Sequence, residues 1–328
     1  MMNRPDRASL ARETIHKIVP ELLKTDNRAS NGIKNTCIVA YDPNDDPPTT
    51  SSEDAEMPAS SSPSTPQKFF PIFNMMKSPK AADTSSPMNA STSGSRAAVQ
   101  SDLKMIPKIK VVKSDSWNAA FQILNRALLL DPHIAVLNMA SAKTPGGGVL
   151  TGAVAQEESL CIRSTLHASL TQNPNWYRLP ELSGIFSPDV KVIRATESPW
   201  PMLPVHEQYY ASVISVAAVK NPEVRKNKEG KWVYQHLGDK EVMVKKIRLI
   251  FQIAKKNKVT HLVLGALGCG VYHHPPEEVA KLFKRVLLGE QTRGPLTTKD
   301  TGIKEVVFAI FDEGANLRSF REVLGSLN

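Results

Sequence analysis

The chain has 328 residues, 41% hydrophobic and 22% charged, close to ordinary globular averages, so most of it should bury a core sized for one large α/β domain or two modest ones. Its 41 Lys+Arg against 32 Asp+Glu give +9, a balance that attracts phosphate-bearing ligands but falls short of the charge density of a nucleic-acid coat. Cys37, Cys161 and Cys269 are odd in number and far apart, which excludes a disulfide framework and a spaced metal motif and predicts a reducing compartment. No run approaches the roughly 20 apolar residues of a membrane span.

In chain order, Ala8 to Leu23 reads as an amphipathic helix with Leu10, Ile15, Ile18, Val19 and Leu22 on one side, packed on the main domain. From Asp42 to Gln100 the composition turns to Ser, Thr, Pro, Ala and Asn, with nine of the 24 prolines, and such a segment buries too little to offset its ordering entropy. It is expected to be a disordered insert. Within it Phe69-Phe70-Pro71-Ile72-Phe73 lies between Ser/Thr-Pro pairs, a candidate docking motif whose plainer reading is a segment folded back on the surface or without a role.

Beyond the insert, strands and helices alternate. Strands are expected at Ile109–Val112, Ile134–Ala140, Val190–Ala195, Val213–Val219, His261–Ala266 and Glu305–Asp312. Helices are expected at Ser116–Leu130, Glu157–Leu170, Val242–Lys256, Glu277–Leu288 and Asn316–Leu324. This alternation predicts a largely parallel or mixed sheet covered on both faces by helices, with ligands at the carboxyl ends of the strands.

Two glycine-rich turns sit where that rule places a ligand. Pro145-Gly146-Gly147-Gly148-Val149-Leu150 follows one strand and Gly265-Ala266-Leu267-Gly268-Cys269-Gly270-Val271-Tyr272 follows another. Each is either a tight corner or a backbone cradle for a diphosphate. Neither is a Walker loop or a dinucleotide fingerprint. Gln156-Glu157-Glu158 opens the helix beyond the first turn, and four-residue spacing aligns Glu158 with Ile162, Leu166 and Leu170, so its carboxylate should lean inward. The competing reading is an ordinary acidic first turn. Adjacent glutamates, one protonated and one ionised, suit glycosidic cleavage. His273-His274 and Cys161 read as structural, and Lys245-Lys246 and Lys255-Lys256-Asn257-Lys258 as solvated helix faces.

The triple glycine, seven intervening residues and Gln156-Glu157-Glu158 resemble the GGG…QEE signature of poly(ADP-ribose) glycohydrolases. The longer text LNMASAKTPGGGVLTGAVAQEESLCIRSTL is similar to the microbial type of that family, as are GIFSPDVKVIR, VISVAAVKNPEVR, LVLGALGCGVYHHPPEEVAKLF, VVFAIFD and an ARETIHKI-like front helix. The resemblance spans roughly residues 4–41 and 101–328. It implies a macrodomain-like three-layer α/β/α fold with a mixed, largely parallel sheet, divided into an N-terminal helical segment 1–41, the insert 42–100 and a catalytic domain 101–328.

The resemblance also implies roles. Glu158 would protonate the ribose–ribose oxygen and then activate water, Glu157 would orient the scissile ribose, and Gln156 would support the loop or contact the ligand. Gly146, Gly147, Gly148 and Val149 would approach diphosphate and ribose from one side, with Gly268, Gly270 and Val271 on the other. Asn138 matches a strand-end asparagine near the ribose. Tyr272 stands where the family usually has Phe, and Ser141 where many macrodomains have Asn. The implied partners are poly(ADP-ribose), ADP-ribosylated proteins and the product ADP-ribose, with no metal, cofactor or membrane, in reversal of ADP-ribosylation, as in a DNA damage response; the insert, its Ser/Thr-Pro pairs and the absence of export signals predict nucleus or cytoplasm. A hydrolase for mono-ADP-ribosylated targets and a non-catalytic ADP-ribose-binding module are the alternatives.

Overall fold

The computed structural model describes residues 2–45, 106–127, 131–289 and 301–327. Most of the expected insert, including Phe69–Phe73, lies outside the described residues, as does the end of the helix expected to reach Leu130. The N-terminal residues and the chain from Lys104 onward cluster as one unit.

At the front, α1 (Arg4–Glu13) runs through a π turn at Thr14–Ile18 into α2 (Val19–Thr25), followed by α3 (Asn27–Lys34) and the edge strand β1 (Cys37–Ala40). The main body then gives β2 (Lys108–Lys113), α4 (Ser116–Arg126), β3 (Ile134–Met139), α5 (Gln156–Ile162), α6 (Leu166–Leu170), β4 (Ser183–Val192) and β5 (Tyr209–Val216). A small hairpin, β6 (Val224–Lys226) and β7 (Trp232–Tyr234), precedes α7 (Leu237–Lys256), β8 (His261–Leu264), α8 (Pro276–Leu288), β9 (Glu305–Ile310) and α9 (Ala315–Leu324).

Seven strands form one sheet in the order β1-β4-β5-β3-β8-β9-β2. The pairings from β5 to β2 are parallel, and β1-β4 and β4-β5 are antiparallel. The sheet is thus mixed and largely parallel, with buried apolar clusters on its two faces. β3 lies near the middle, and its side chains from Ile134 to Asn138 are all buried, as expected for a parallel strand covered on both sides. Phe283 of α8, Phe308 of β9 and Phe320 of α9 pack at centroid separations of 5.1–6.2 Å and close one face; such aromatic pairs add about 1 kcal/mol each beyond their area.

Two expectations change. The helix expected over Glu157–Leu170 is two helices, because residues 163–165 turn aside to pair with β4: Thr165 N–H donates to Lys191 O at 3.0 Å and Ile193 N–H to Arg163 O at 2.9 Å. The row through Leu166 and Leu170 therefore does not continue from Glu158 on one helix. Lys246 is buried rather than solvated; its ammonium donates to the Glu181 carbonyl, and burial lowers its pKa.

Candidate active site

The carboxyl ends of β3, β8 and β9, with the two glycine turns, surround a pocket of about 960 Å³. Gln156 fixes the start of α5 at its floor. Its Oε1 accepts from Met139 N–H at 2.9 Å, and its Nε2 donates to Leu137 O at 2.6 Å and Ser116 Oγ at 3.1 Å. Both ends of the amide are occupied, so Gln156 is a clip between β3, α4 and α5.

Glu157 and Glu158 follow, both buried at 4% and 7% exposure. Isolated carboxylates at that depth are costly, and each is answered by backbone donors. Glu157 Oε2 accepts from Ser141 N–H at 2.7 Å and its Oε1 from Asn138 Nδ2 at 3.3 Å. Burial pushes Glu157 up to about 8, the Ser141, Asn138 and Gly146 donors pull it down, and the neighbouring Glu158 charge pushes it further up. Glu158 Oε1 accepts from Gly148 N–H at 2.8 Å, while its buried Oε2 has no partner among the described residues. The carboxylate does lean inward, as the first glycine turn and not an apolar helical row dictates.

Gly147 is where the turn and the two acids meet. Its φ is +57°, and a Cβ there would lie 2.6 Å from Glu158 Oε1 and 2.9 Å from Glu157 Oε2. Only glycine leaves both carboxyl groups their places.

The implied ligand residues divide into three groups. Gly147, Gly148, Gly268, Gly270, Val271 and Tyr272 line the pocket with the two glutamates. Asn138 is fully buried beneath it, holding Glu157 and Ser215 Oγ. Gly146 packs over His167 and Cys161, and the Val149 side chain is buried in the core, so these two lie beneath the turn and do not line the pocket. Burial holds the Cys161 thiol well above its ordinary pKa, consistent with a packing role.

The second turn is held differently. His274 Nε2 lies 2.6 Å from Val219 O and its Nδ1 2.7 Å from Tyr234 OH. A carbonyl only accepts, so Nε2 carries the proton and the tyrosine donates to Nδ1; burial lowers the imidazole pKa and favours this neutral form. The ring packs against Gly268, whose φ is +79°. Tyr272 is half-buried, its phenol pKa raised by burial and then by Glu157 and Glu158.

Several pocket residues were not singled out from sequence. Asp115 caps α4 by accepting from Trp117 and Asn118 N–H, and its Oδ1 also pairs with Arg163 at 3.0 Å. Arg163 donates to Thr196 Oγ1 at 2.9 Å, while Asp115 Oδ2 and Arg163 Nε are buried without partners. A Ser-Asp step ahead of an apolar helix is a readable N-cap signal and would have found Asp115. Phe311, just beyond β9, is 72% exposed on the pocket wall. Among the described residues, no group of three or more His, Cys, Asp or Glu could hold a metal, and no helix is long and apolar enough to cross a membrane.

A family model described as microbial-type PARG, catalytic domain, matches residues 72–195. Poly(ADP-ribose) glycohydrolase from Deinococcus radiodurans, solved in complex with ADP-ribose, is 30% identical, with a TM-score of 0.55 over 68% of this chain and 86% of that one. The chain belongs to the microbial-type poly(ADP-ribose) glycohydrolases. The enzyme from Thermomonospora curvata, solved with the inhibitor ADP-HPD, shares the fold at 22% identity and a TM-score of 0.63, over 97% of this chain and 99% of that one. No curated protein matches. The macrodomain-like fold expected of a microbial-type glycohydrolase is thereby established, and the matched stretch contains the first glycine turn and all three of Gln156, Glu157 and Glu158.

Proposed function

We propose that Glu158 is the general acid and base of this chain, a poly(ADP-ribose) glycohydrolase that cuts ribose–ribose bonds and releases ADP-ribose. The observation that carries the assignment is the unpartnered Glu158 Oε2, buried at the pocket wall beside a second carboxyl group that is fully engaged. Burial, with the neighbouring Glu158 charge adding to it, pushes Glu157 up to about 8, so a proton is held at this site near neutral pH. Amide donors already occupy both Glu157 oxygens, and ribose hydroxyls would add to them. The free Glu158 oxygen is then the one placed to hand a proton to the bridging oxygen. As that bond breaks, positive charge builds on the departing ribose carbon, the Glu158 carboxylate takes a proton from water, and the hydroxide equivalent closes the anomeric centre.

The diphosphate falls to the second turn. Among the described residues, Gly270, Val271 and Tyr272 N–H carry no hydrogen bond, and consecutive free amides make an anion cradle. Phe311, Asp115 and Arg163 supply an apolar face and unsatisfied polar atoms for the rest of an ADP-ribose unit. ADP-ribosylated proteins are proposed as carriers of the polymer, in nucleus or cytoplasm.

Glu158→Gln tests the assignment. It should lower release of ADP-ribose from polymer by about a thousandfold or more, the loss expected when an acid–base group and its charge both go, while ADP-ribose binding by calorimetry persists. Undiminished turnover would remove Glu158 from the mechanism. Turnover of mono-modified protein but not polymer would move the substrate to the alternative hydrolase reading, and binding without turnover of either by the parent chain would leave a binding module.

A further inference from the structure

Resting on the assignment of Glu158 as the acid, we infer that α1 is a strap that positions it, with Arg4, Arg7 and Arg12 as positioning residues that hold the first glycine turn, Arg7 from the pocket rim.

These three arginines donate to three consecutive carbonyls. Arg12 Nη1 reaches Leu150 O at 3.1 Å, Arg4 Nε reaches Thr151 O at 2.9 Å, and Arg7 Nε reaches Gly152 O at 3.0 Å. The carbonyls belong to the 3-10 turn Val149–Thr151 and its C-cap, a helix end whose C=O groups need outside donors. On an ideal helix the three arginines span an arc of roughly 140°, and Ala8 and Ala11 fall inside it. Both alanines are buried, so small side chains bring the helix backbone onto the turn while the long ones reach around it. Gly152 completes the fit: at φ +73°, a Cβ there would collide with the Arg4 carbonyl and crowd Ala8 N. At its other end α1 is anchored by the buried Arg194, whose Nε donates to Thr14 Oγ1 at 2.9 Å.

The path from strap to acid is short and made of hydrogen bonds. Gly148 O accepts from Thr151 N–H at 3.0 Å, Ala153 N–H at 3.1 Å and Thr151 Oγ1 at 2.9 Å. Of the residues whose carbonyls the arginines hold, Thr151 bonds the Gly148 carbonyl directly, and the Gly152 carbonyl shares its peptide unit with the Ala153 amide that does the same. The amide of the same glycine donates to Glu158 Oε1, the only hydrogen bond that carboxylate makes among the described residues. Releasing the turn from α1 frees Gly148 to shift, and Glu158 loses the donor that aims its free oxygen. Three exposed or half-exposed guanidinium groups contribute little stability, yet a displacement of about 1 Å at an acid can cost a hundredfold in rate.

The test combines R4A/R7A/R12A with R4K/R7K/R12K, the single variants Arg4→Ala and Arg12→Ala, a Lys24→Ala control on α2, and Glu158→Gln in parallel. Activity is read well below each melting temperature, and the Gly148 amide is followed by NMR hydrogen exchange. The expected result is a fall in kcat of about tenfold or more in the triple alanine variant, faster exchange at Gly148 with unchanged exchange in β3, partial recovery with lysine, and no effect of Lys24→Ala. If the triple variant does not fold, the single variants decide by the same two readouts. Normal kcat with the arginines gone, or a fall in kcat with Gly148 exchange unchanged, overturns the strap. If Glu158→Gln stays active the acid assignment falls instead, and the Gly148 exchange still reports whether α1 holds the turn.

Discussion

The two glycine turns look alike as sequence and are opposites as structure. In the first, the amides of Gly147, Gly148 and Val149 are all engaged: Gly147 with Thr144 O, Gly148 with Glu158 and Val149 with Gly146 O. In the second, the amides of Gly270, Val271 and Tyr272 are free among the described residues, and Gly270 has open space around it. A turn whose donors are already used cannot also cradle a diphosphate. The first turn is therefore the frame of the acid pair, and the free amides of the second are the ones that suit the diphosphate proposed above.

The largest effect that sharpens this contrast should come from Gly147→Ala. The new methyl would meet both carboxyl groups at 2.6 and 2.9 Å in a left-handed backbone, so turnover should drop by about a hundredfold, the scale of an acid displaced by about 1 Å. Binding of ADP-ribose should weaken much less if the anion sits on the other turn. Equal losses in the two measurements would return the diphosphate to the first turn.

That contrast explains what could be read from sequence. Gly146-Gly147-Gly148 and Gln156-Glu157-Glu158 were legible because their residue types already express the requirement: no side chain in the turn, two acids and a bifunctional amide at a helix start. The strands of the sheet were legible because buried apolar runs such as Ile134–Leu137 have few other fates. The break in the helix after Ile162 was not, since it is imposed by the end of β4 and the residue after it, Lys191 to Ile193, nearly thirty positions on. Lys246 was misread because its partner is a loop carbonyl with no sequence signal. Arg4, Arg7 and Arg12 looked like ordinary surface charges, and only their arrangement against residues 150–152 gives them a task.

Next in size is Gly268→Ala. At φ +79° and against the His274 ring, alanine should cost roughly 1–3 kcal/mol of stability and weaken ADP-ribose binding, with kcat at saturating polymer nearly kept. A fall in kcat with binding intact would mean that the second turn, too, acts on the acid.

A smaller effect separates the engaged turn from its charge. Because burial raises Glu157 to about 8, the folded state holds that proton more tightly than the unfolded chain does between about pH 4.5 and 8, and stability falls as pH rises through this window. Glu157→Gln removes the titration. The melting temperature of the parent should decline relative to that of the variant from about pH 5 to pH 8 and run parallel to it above. Parallel curves throughout would show that the Ser141, Asn138 and Gly146 donors outweigh desolvation and keep Glu157 ionised.

The smallest effect is the most pointed. Gly270 is not in the left-handed region, and a Cβ there meets nothing within 4 Å, so nothing in the empty protein requires glycine at this position. Gly270→Ala should leave the melting temperature within the small range of an ordinary surface change, about 0.5 kcal/mol. Any penalty must then come from the ligand. If a phosphate lies against the 270–272 amides, the added methyl occupies its approach, and ADP-ribose binding weakens while the unliganded protein is untouched. Unchanged affinity would place the anion away from this edge and leave the open turn as no more than a corner.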